Sequence, residues 1–97
     1  MAEITVIASI VAKPEYKDEI YKSLLELHKQ THANDEGCIQ YDLHINNEEE
    51  NGFTFIETWR DIDALLKHSQ KAHFDAFKSF IEGKIDSMSV QKLQKVS

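Results

Sequence analysis

The side chains best suited to chemistry lie in one stretch of the second half of the chain. It holds a carboxylate, the single tryptophan and two histidines, at Glu57, Trp59, His68 and His73. Imidazole titrates near neutral pH and suits proton transfer. The four residues therefore predict an acid–base site. The alternative for the tryptophan and for each histidine is a structural role in a core.

Glu57 and Trp59 are two residues apart in an alternating segment, FTFIETW, so a strand would point both side chains to one face. Phe53 and Phe55 share that face, which is therefore predicted to be covered by helices. A carboxylate on a covered face is costly unless it is hydrogen-bonded or used. Glu57 is for this reason a candidate functional residue.

His68 and His73 are five residues apart. In one uninterrupted helix they would be separated by about 140° and would make a poor pair for one metal ion. A break near Ser69 would bring both toward one pocket. The two histidines therefore predict two helices, with a shared site at the junction between them.

His28 and His32 form a second candidate pair, four residues apart on the first predicted helix. Two histidines at this spacing share a face and have the geometry of metal ligands. No nearby cysteine completes the set, and Glu36 is the only third ligand suggested. Two ligands make a weak site, so a solvated helix face is expected and no metal is predicted. The single cysteine, Cys38, is expected to be a small buried apolar residue.

The elements that position these residues follow from periodicity. Residues 3–13, 38–46 and 53–59 alternate and predict strands, with a hairpin at Asn51-Gly52. A weaker strand follows from residue 86 through Met88 and Val90, and the change of parity at Leu93 predicts a bulge or an early end there.

Helical spacing fills the gaps between the strands. A first helix starts at Pro14 and ends near Asn34. Asp61 is predicted to cap a short helix and Ser69 a second one, which ends at Gly83.

The order strand, helix, strand, strand, helix pair, strand predicts an α+β fold. It is a ferredoxin-like antiparallel sheet with helices on one face, formed by a single domain over residues 1–97. The other face of the sheet would be bare, and such a face normally marks an interface. A homodimer through that face is therefore predicted, with the last strand near the partner. Ile39, Leu43 and Ile45 would contribute to the interface if they lie on that face.

Composition excludes several classes of function. The net charge of −6 disfavours nucleic acid as a partner. No apolar run reaches the roughly 20 residues that a membrane span needs. The first residues lack a basic leader, and a single cysteine allows no internal disulfide. A cytoplasmic location without membrane contact is therefore expected.

The pattern Glu57-x-Trp59, then His68, then His73-Phe74, preceded by the EGC-x-x-Y stretch from Glu36 to Tyr41, resembles the antibiotic biosynthesis monooxygenase domain. The resemblance covers essentially the whole chain, and small quinol monooxygenases are the most similar members. It implies a dimeric α+β barrel with a pocket between sheet and helices. It also implies oxygenation of quinols or polyphenols with no metal, flavin or haem.

The chain departs from some branches of that family. Polyketide-oxidising members carry an Asn where this chain has Phe55 and a Tyr where it has Leu65. Haem-degrading relatives need an Asn in the first strand, which is absent here. Relatives that isomerise a small phosphorylated signal share the two histidines but have a tyrosine in place of Trp59, so the oxygenase branch is favoured.

A mechanism follows from the residues and the resemblance together. His68 is the candidate base, Glu57 would orient it or fix its tautomer, and Trp59 would stack on a small aromatic substrate that reacts with dioxygen. His73, Phe55 and Phe74 are the predicted substrate-binding residues. Two alternatives remain open: an isomerase or decarboxylase that uses the same pocket without oxygen, and a non-catalytic dimeric protein that binds a small aromatic compound.

Overall fold

In the described part of the chain, four strands form one antiparallel sheet with three α-helices. The computed structural model describes residues 2–97, so residue 1 of the predicted domain lies outside it. The strands are β1 (Ile4–Ala12), β2 (Cys38–Ile45), β3 (Gly52–Trp59) and β4 (Ile85–Leu93), and their order in the sheet is β2-β3-β1-β4. The helices are α1 (Lys17–Asn34), α2 (Ile62–Ser69) and α3 (Ala72–Ile81). This topology is ferredoxin-like, and the predicted fold class is confirmed.

The core lies between the central strands and the helices. In the register of β1 with β3, Val6 is opposite Glu57 and Ile10 is opposite Phe53, so these side chains share one face. That face packs against buried apolar residues of α1 and α3, namely Ile20, Leu24, Leu27, Phe77 and Ile81. The period-two pattern of β3 predicted its covered face correctly.

The caps of α2 and α3 were predicted with unequal success. Asp61 caps α2 as expected, because its Oδ1 accepts a hydrogen bond from the Ala64 N–H at 2.9 Å. Ser69 does not cap α3. It is the last residue of α2, where its hydroxyl donates to the Leu66 carbonyl at 2.7 Å, and the N-cap of α3 is Lys71. The predicted break between α2 and α3 is present.

The loop after α1 packs tightly against α2. Gly37 has φ +85°, and a Cβ at this position would lie 2.5 Å from the Cβ of Ala64. Glycine is required here for its left-handed backbone and for its missing side chain. The close approach places the end of α1 beside α2.

The predicted composition of the bare sheet face is wrong. Leu43 is opposite Phe55 and Ile45 is opposite Phe53, so both lie on the helix-side face, while Ile39 falls at a register shift of β2. The alternation of β2 separated two sets of residues but did not say which set meets the helices. The face away from the helices carries half-buried apolar residues among serines and threonines, including Ile7, Val11 and Ile56.

The early end of β4 predicted at Leu93 is confirmed, because the strand runs Ile85–Leu93, but the alternative of a bulge at Leu93 is wrong. β4 stays in register to Leu93, which is opposite Thr5, and the register shift lies at the other end of the pair, between Val11 and Ala12. Of the helices in residues 2–97, none is long and apolar enough to cross a membrane.

Candidate active site

A cavity of about 180 Å³ lies between the sheet and the three helices. An apolar cavity of roughly 150 Å³ is large enough to bind benzene, so this one admits a single aromatic ring. Its walls are largely apolar, and the polar or charged side chains that reach it are those of Tyr41, Glu57, His68, Ser69 and Lys92. An apolar pocket with a few polar groups is typical of a small-molecule site.

His68 reaches the cavity from the last turn of α2 and is buried. Its Nδ1–H donates a hydrogen bond to Oδ2 of Asp35, the residue that follows α1. A carboxylate only accepts, so Nδ1 carries the proton of the neutral ring and Nε2 holds the lone pair. Within residues 2–97, that Nε2 has no hydrogen-bond partner. It is free to take a proton from a bound molecule.

Burial lowers the pKa of His68, and the hydrogen bond from its ring to Asp35 opposes part of that shift. The lowered pKa keeps the imidazole neutral at physiological pH. The carboxylate of Asp35 would then stabilise the imidazolium that forms when Nε2 accepts a proton. This arrangement has the form of a general base with an orienting carboxylate.

Glu57 is the second titratable group of the cavity. It is 4% exposed, and its Oε1 accepts a hydrogen bond from the Trp59 indole N–H at 2.9 Å. Burial raises the pKa of Glu57 to about 7, against the weaker opposite effect of that hydrogen bond. Near neutral pH, Glu57 can therefore either donate or accept a proton.

Two predicted roles are corrected by these contacts. Asp35, not Glu57, is hydrogen-bonded to His68, because Glu57 is directed at the indole. Trp59 is fully buried and is not among the described residues that line the cavity. Its ring lies 4.6 Å from the His68 ring, centroid to centroid, so it packs behind the site and cannot stack on a substrate there.

His73 does not line this cavity either. Its Nε2 lies 2.9 Å from Oδ1 of Asp35, a short contact whose angles are not those of a hydrogen bond. It borders a separate depression between α1 and α3. The helix break thus brings His68 and His73 to one carboxylate rather than to one pocket.

Aromatic rings form much of the cavity wall. Phe55 and Phe74, which were predicted to bind substrate, both line it, and the Phe74 ring lies 4.9 Å from the His68 ring. Tyr41 lies between Phe55, on which it stacks at 4.4 Å, and His68 at 5.4 Å. Desolvation and the nearby Glu57 carboxylate raise the pKa of the Tyr41 hydroxyl, which stays neutral.

Asp35 and Tyr41 were missed as site residues. Asp35 lies in a polar, acidic turn that is typical of a solvated loop, and its partner His68 is 33 residues away along the chain. Tyr41 belonged to an alternating strand, and only its position in the EGC-x-x-Y stretch singled it out. Cys38, which opens that strand, is half-buried against the core, with its Sγ 3.8 Å from the Gln40 carbonyl.

Comparison with known proteins identifies the family. Residues 3–79 match the family model described as antibiotic biosynthesis monooxygenase. The chain therefore belongs to the antibiotic biosynthesis monooxygenase family, as the sequence resemblance indicated.

The chain is also similar to particular proteins and solved structures. The Bacillus subtilis protein named "Putative monooxygenase YcnE" is 39% identical over 70 residues, which cover 72% of this chain and 73% of the relative. The uncharacterized protein sll1783 of Synechocystis is 34% identical over 74 residues, which cover 76% of this chain and only 50% of that longer protein. The crystal structure of PA3566 from Pseudomonas aeruginosa superposes with a TM-score of 0.92 at 31% identity and covers 100% of this chain and 97% of that one.

Proposed function

We propose that the protein is a cofactor-independent monooxygenase that acts on a quinol or polyphenol with one aromatic ring. The observation that carries the proposal is the hydrogen bond from His68 to Asp35 at the wall of a ring-sized apolar cavity. Family membership and the name of the Bacillus subtilis relative support the reaction type.

The first step is removal of a proton from a substrate hydroxyl by Nε2 of His68. Triplet dioxygen reacts slowly with closed-shell molecules, but an electron-rich phenolate can transfer one electron to it. Asp35 stabilises the imidazolium during this step, and the apolar walls exclude water around the anion. The protein therefore activates the substrate rather than the oxygen.

The remaining steps place one oxygen atom on the ring and release the other as water. A quinol plus dioxygen gives a hydroxyquinone plus water, and the quinol supplies all the electrons. Glu57, with its pKa of about 7, donates a proton to the reduced oxygen species. In this proposal Trp59 holds the Glu57 carboxyl in place, and Phe55 and Phe74 hold the ring.

The test is oxygen consumption with a panel of monocyclic quinols. The wild-type protein is expected to consume one dioxygen per quinol and to place one ¹⁸O atom from labelled dioxygen in the product. His68→Gln should lower turnover by about 10² to 10⁴-fold, because it removes the base. His44→Gln is the matched control, since His44 is exposed and outside the cavity.

Two results would contradict the proposal. One is oxygen uptake no faster than autoxidation in buffer for every quinol tested. The other is full turnover by His68→Gln. Turnover under nitrogen would instead favour the isomerase alternative, and binding of quinols without turnover would favour a binding protein.

We further infer that two copies of the chain pack through the sheet face that carries Ile7, Val11 and Ile56. Its half-buried apolar residues are covered by no helix of the described chain. An apolar sheet face of this kind normally marks an interface, and symmetric pairing is the simplest way to cover it. The dimer of the family resemblance would bury the same face.

Light scattering at micromolar concentration should give the mass of two chains. Ile56→Lys places a charge in the interface and should shift the protein to a monomer. Ile45→Lys is the control, because Ile45 is 65% exposed and lies on the other face. A wild-type protein that is monomeric at these concentrations would exclude the dimer.

A further inference from the structure

A second cluster of ligand-type side chains lies outside the cavity, where α1 meets β2. One ring nitrogen each of His28 and His32 and a carboxylate oxygen of Asp42 all lie within 4.8 Å of one another. Sequence spacing supplied only the two histidines, and the pair was rejected as a metal site for want of a third ligand. The fold supplies that ligand from the neighbouring strand.

The hydrogen bonds of this cluster leave lone pairs available. His32 Nε2 lies 2.9 Å from the Tyr41 carbonyl oxygen, which can only accept, so Nε2 carries the proton and Nδ1 holds the lone pair. Metal-bound histidines commonly donate their other N–H to a backbone carbonyl in this way. Asp42 is held by a hydrogen bond from the Gln40 amide to its Oδ2 at 2.9 Å, which leaves Oδ1 unoccupied by that contact.

The distances between the three ligand atoms are close to those between the ligands of a metal site. In a tetrahedral zinc site with bonds of about 2.0–2.1 Å, neighbouring ligand atoms are roughly 3.3 Å apart. The widest separation in the cluster is at most 4.8 Å, so its ligand atoms must approach one another by at most about 1.5 Å. His32 and Asp42 are exposed and His28 is half-buried, so rotation of surface side chains achieves this without repacking the core.

The geometry points to a surface site for a divalent transition-metal ion, with His28, His32 and Asp42 as its three protein ligands. Two imidazoles and one carboxylate suit zinc and its neighbours, not calcium or magnesium, which prefer oxygen ligands. Three protein ligands leave one position for water or for a side chain of another molecule. The ion would join α1 to the edge strand of the sheet.

Titration of the chelator-treated protein with ZnCl₂ in a calorimeter tests the site. One equivalent is expected to bind per chain, and CoCl₂ should give the visible absorption band of a four-coordinate site. His28→Ala and Asp42→Asn should each weaken zinc binding by at least about tenfold, because each removes a ligand. His44→Ala should change the affinity by less than about twofold, since His44 borders the same groove but lies outside the cluster.

The competing location is the buried group of Asp35, His68 and His73, whose ligand atoms also lie within 4.8 Å of one another. Zinc binding that is unchanged in His28→Ala and Asp42→Asn, and lost in His73→Ala, would overturn the assignment. So would the absence of zinc binding in the wild-type protein. Circular dichroism of the two ligand variants should match the wild type, because the replaced side chains are not part of the core.

Discussion

Residues 2–97 contain two clusters of the same composition, each with two histidines and one aspartate. In the buried cluster, Asp35 has a short contact to each of His68 and His73. In the exposed cluster, His32 directs its N–H to the backbone of Tyr41 rather than to Asp42. The two clusters therefore differ in burial and in the acceptor of the imidazole proton.

That difference determines the chemistry available to each cluster. Where an imidazole N–H donates to a buried carboxylate, as in His68, the opposite ring nitrogen is oriented to act as a base in an apolar cavity. Where the imidazole N–H donates to a backbone carbonyl, as in His32, the carboxylate and both imidazoles have lone pairs available. These lone pairs can coordinate a hydrated metal ion. The residue types alone specify neither outcome.

Replacing each aspartate by asparagine gives the sharpest test of this comparison. Asp35→Asn should lower turnover by about 10² to 10⁴-fold, because the neutral amide no longer stabilises the imidazolium of His68. Asp42→Asn should leave turnover within about twofold. Steady-state rates across pH 6 to 9 for both variants would measure this. Equal losses of turnover in the two variants would contradict the proposed difference between the two clusters.

Glu57→Gln should remove a pH dependence of stability that is specific to the cavity. The Glu57 carboxyl has an ordinary pKa of 4.5 and a folded-state pKa of about 7. Below pH 4.5 the carboxyl is protonated in both the folded and the unfolded protein, so it does not lower the free energy of unfolding. As pH rises from 4.5 through 7, stability is lost, by about 3 kcal/mol in total.

Urea unfolding at pH 5 and pH 8 measures this effect. The free energy of unfolding of Glu57→Gln, relative to wild type, should rise by about 2–3 kcal/mol between the two pH values. Glu50→Gln, at an exposed position in the loop after β2, should show almost no such rise. If both variants behave alike, the carboxyl of Glu57 is not buried as described.

The smallest effect is expected from the cap of α2. Asp61→Ala should destabilise the protein by about 1 kcal/mol, since it removes the acceptor for the Ala64 N–H. Because α2 carries His68 and no residue of the exposed cluster, turnover should fall while zinc affinity stays constant. Thermal unfolding with parallel zinc titration would check this. A drop in zinc affinity would mean that the two clusters are not independent.

Local sequence patterns predicted the helices and strands. Contacts between residues far apart in the sequence determined which side chains meet in each cluster. Alternation along β3 placed Glu57 on the covered face, and the sequence signal at Asp61 predicted a real cap. Asp35 and Asp42 could not be found in this way, because each acts through residues from another element. The face of Leu43 was assigned wrongly. Alternation separates the residues of a strand into two faces, but only the pairing with its neighbour shows which face meets the helices. His73 was correctly predicted to lie beside a break between two helices. The residue it contacts, Asp35, lies in a loop that is distant in the sequence.

The environment of Cys38 bears on how the protein tolerates oxidants. Desolvation, with smaller contributions from nearby carboxylates, raises the pKa of the thiol to about 11, so the reactive thiolate is scarce at neutral pH. Sulfenic acid formation and disulfide exchange both require that thiolate. The one sulfhydryl of the chain should therefore remain reduced through repeated assays in air-saturated buffer. Slow labelling by a thiol reagent at pH 7, faster after unfolding, would measure that resistance.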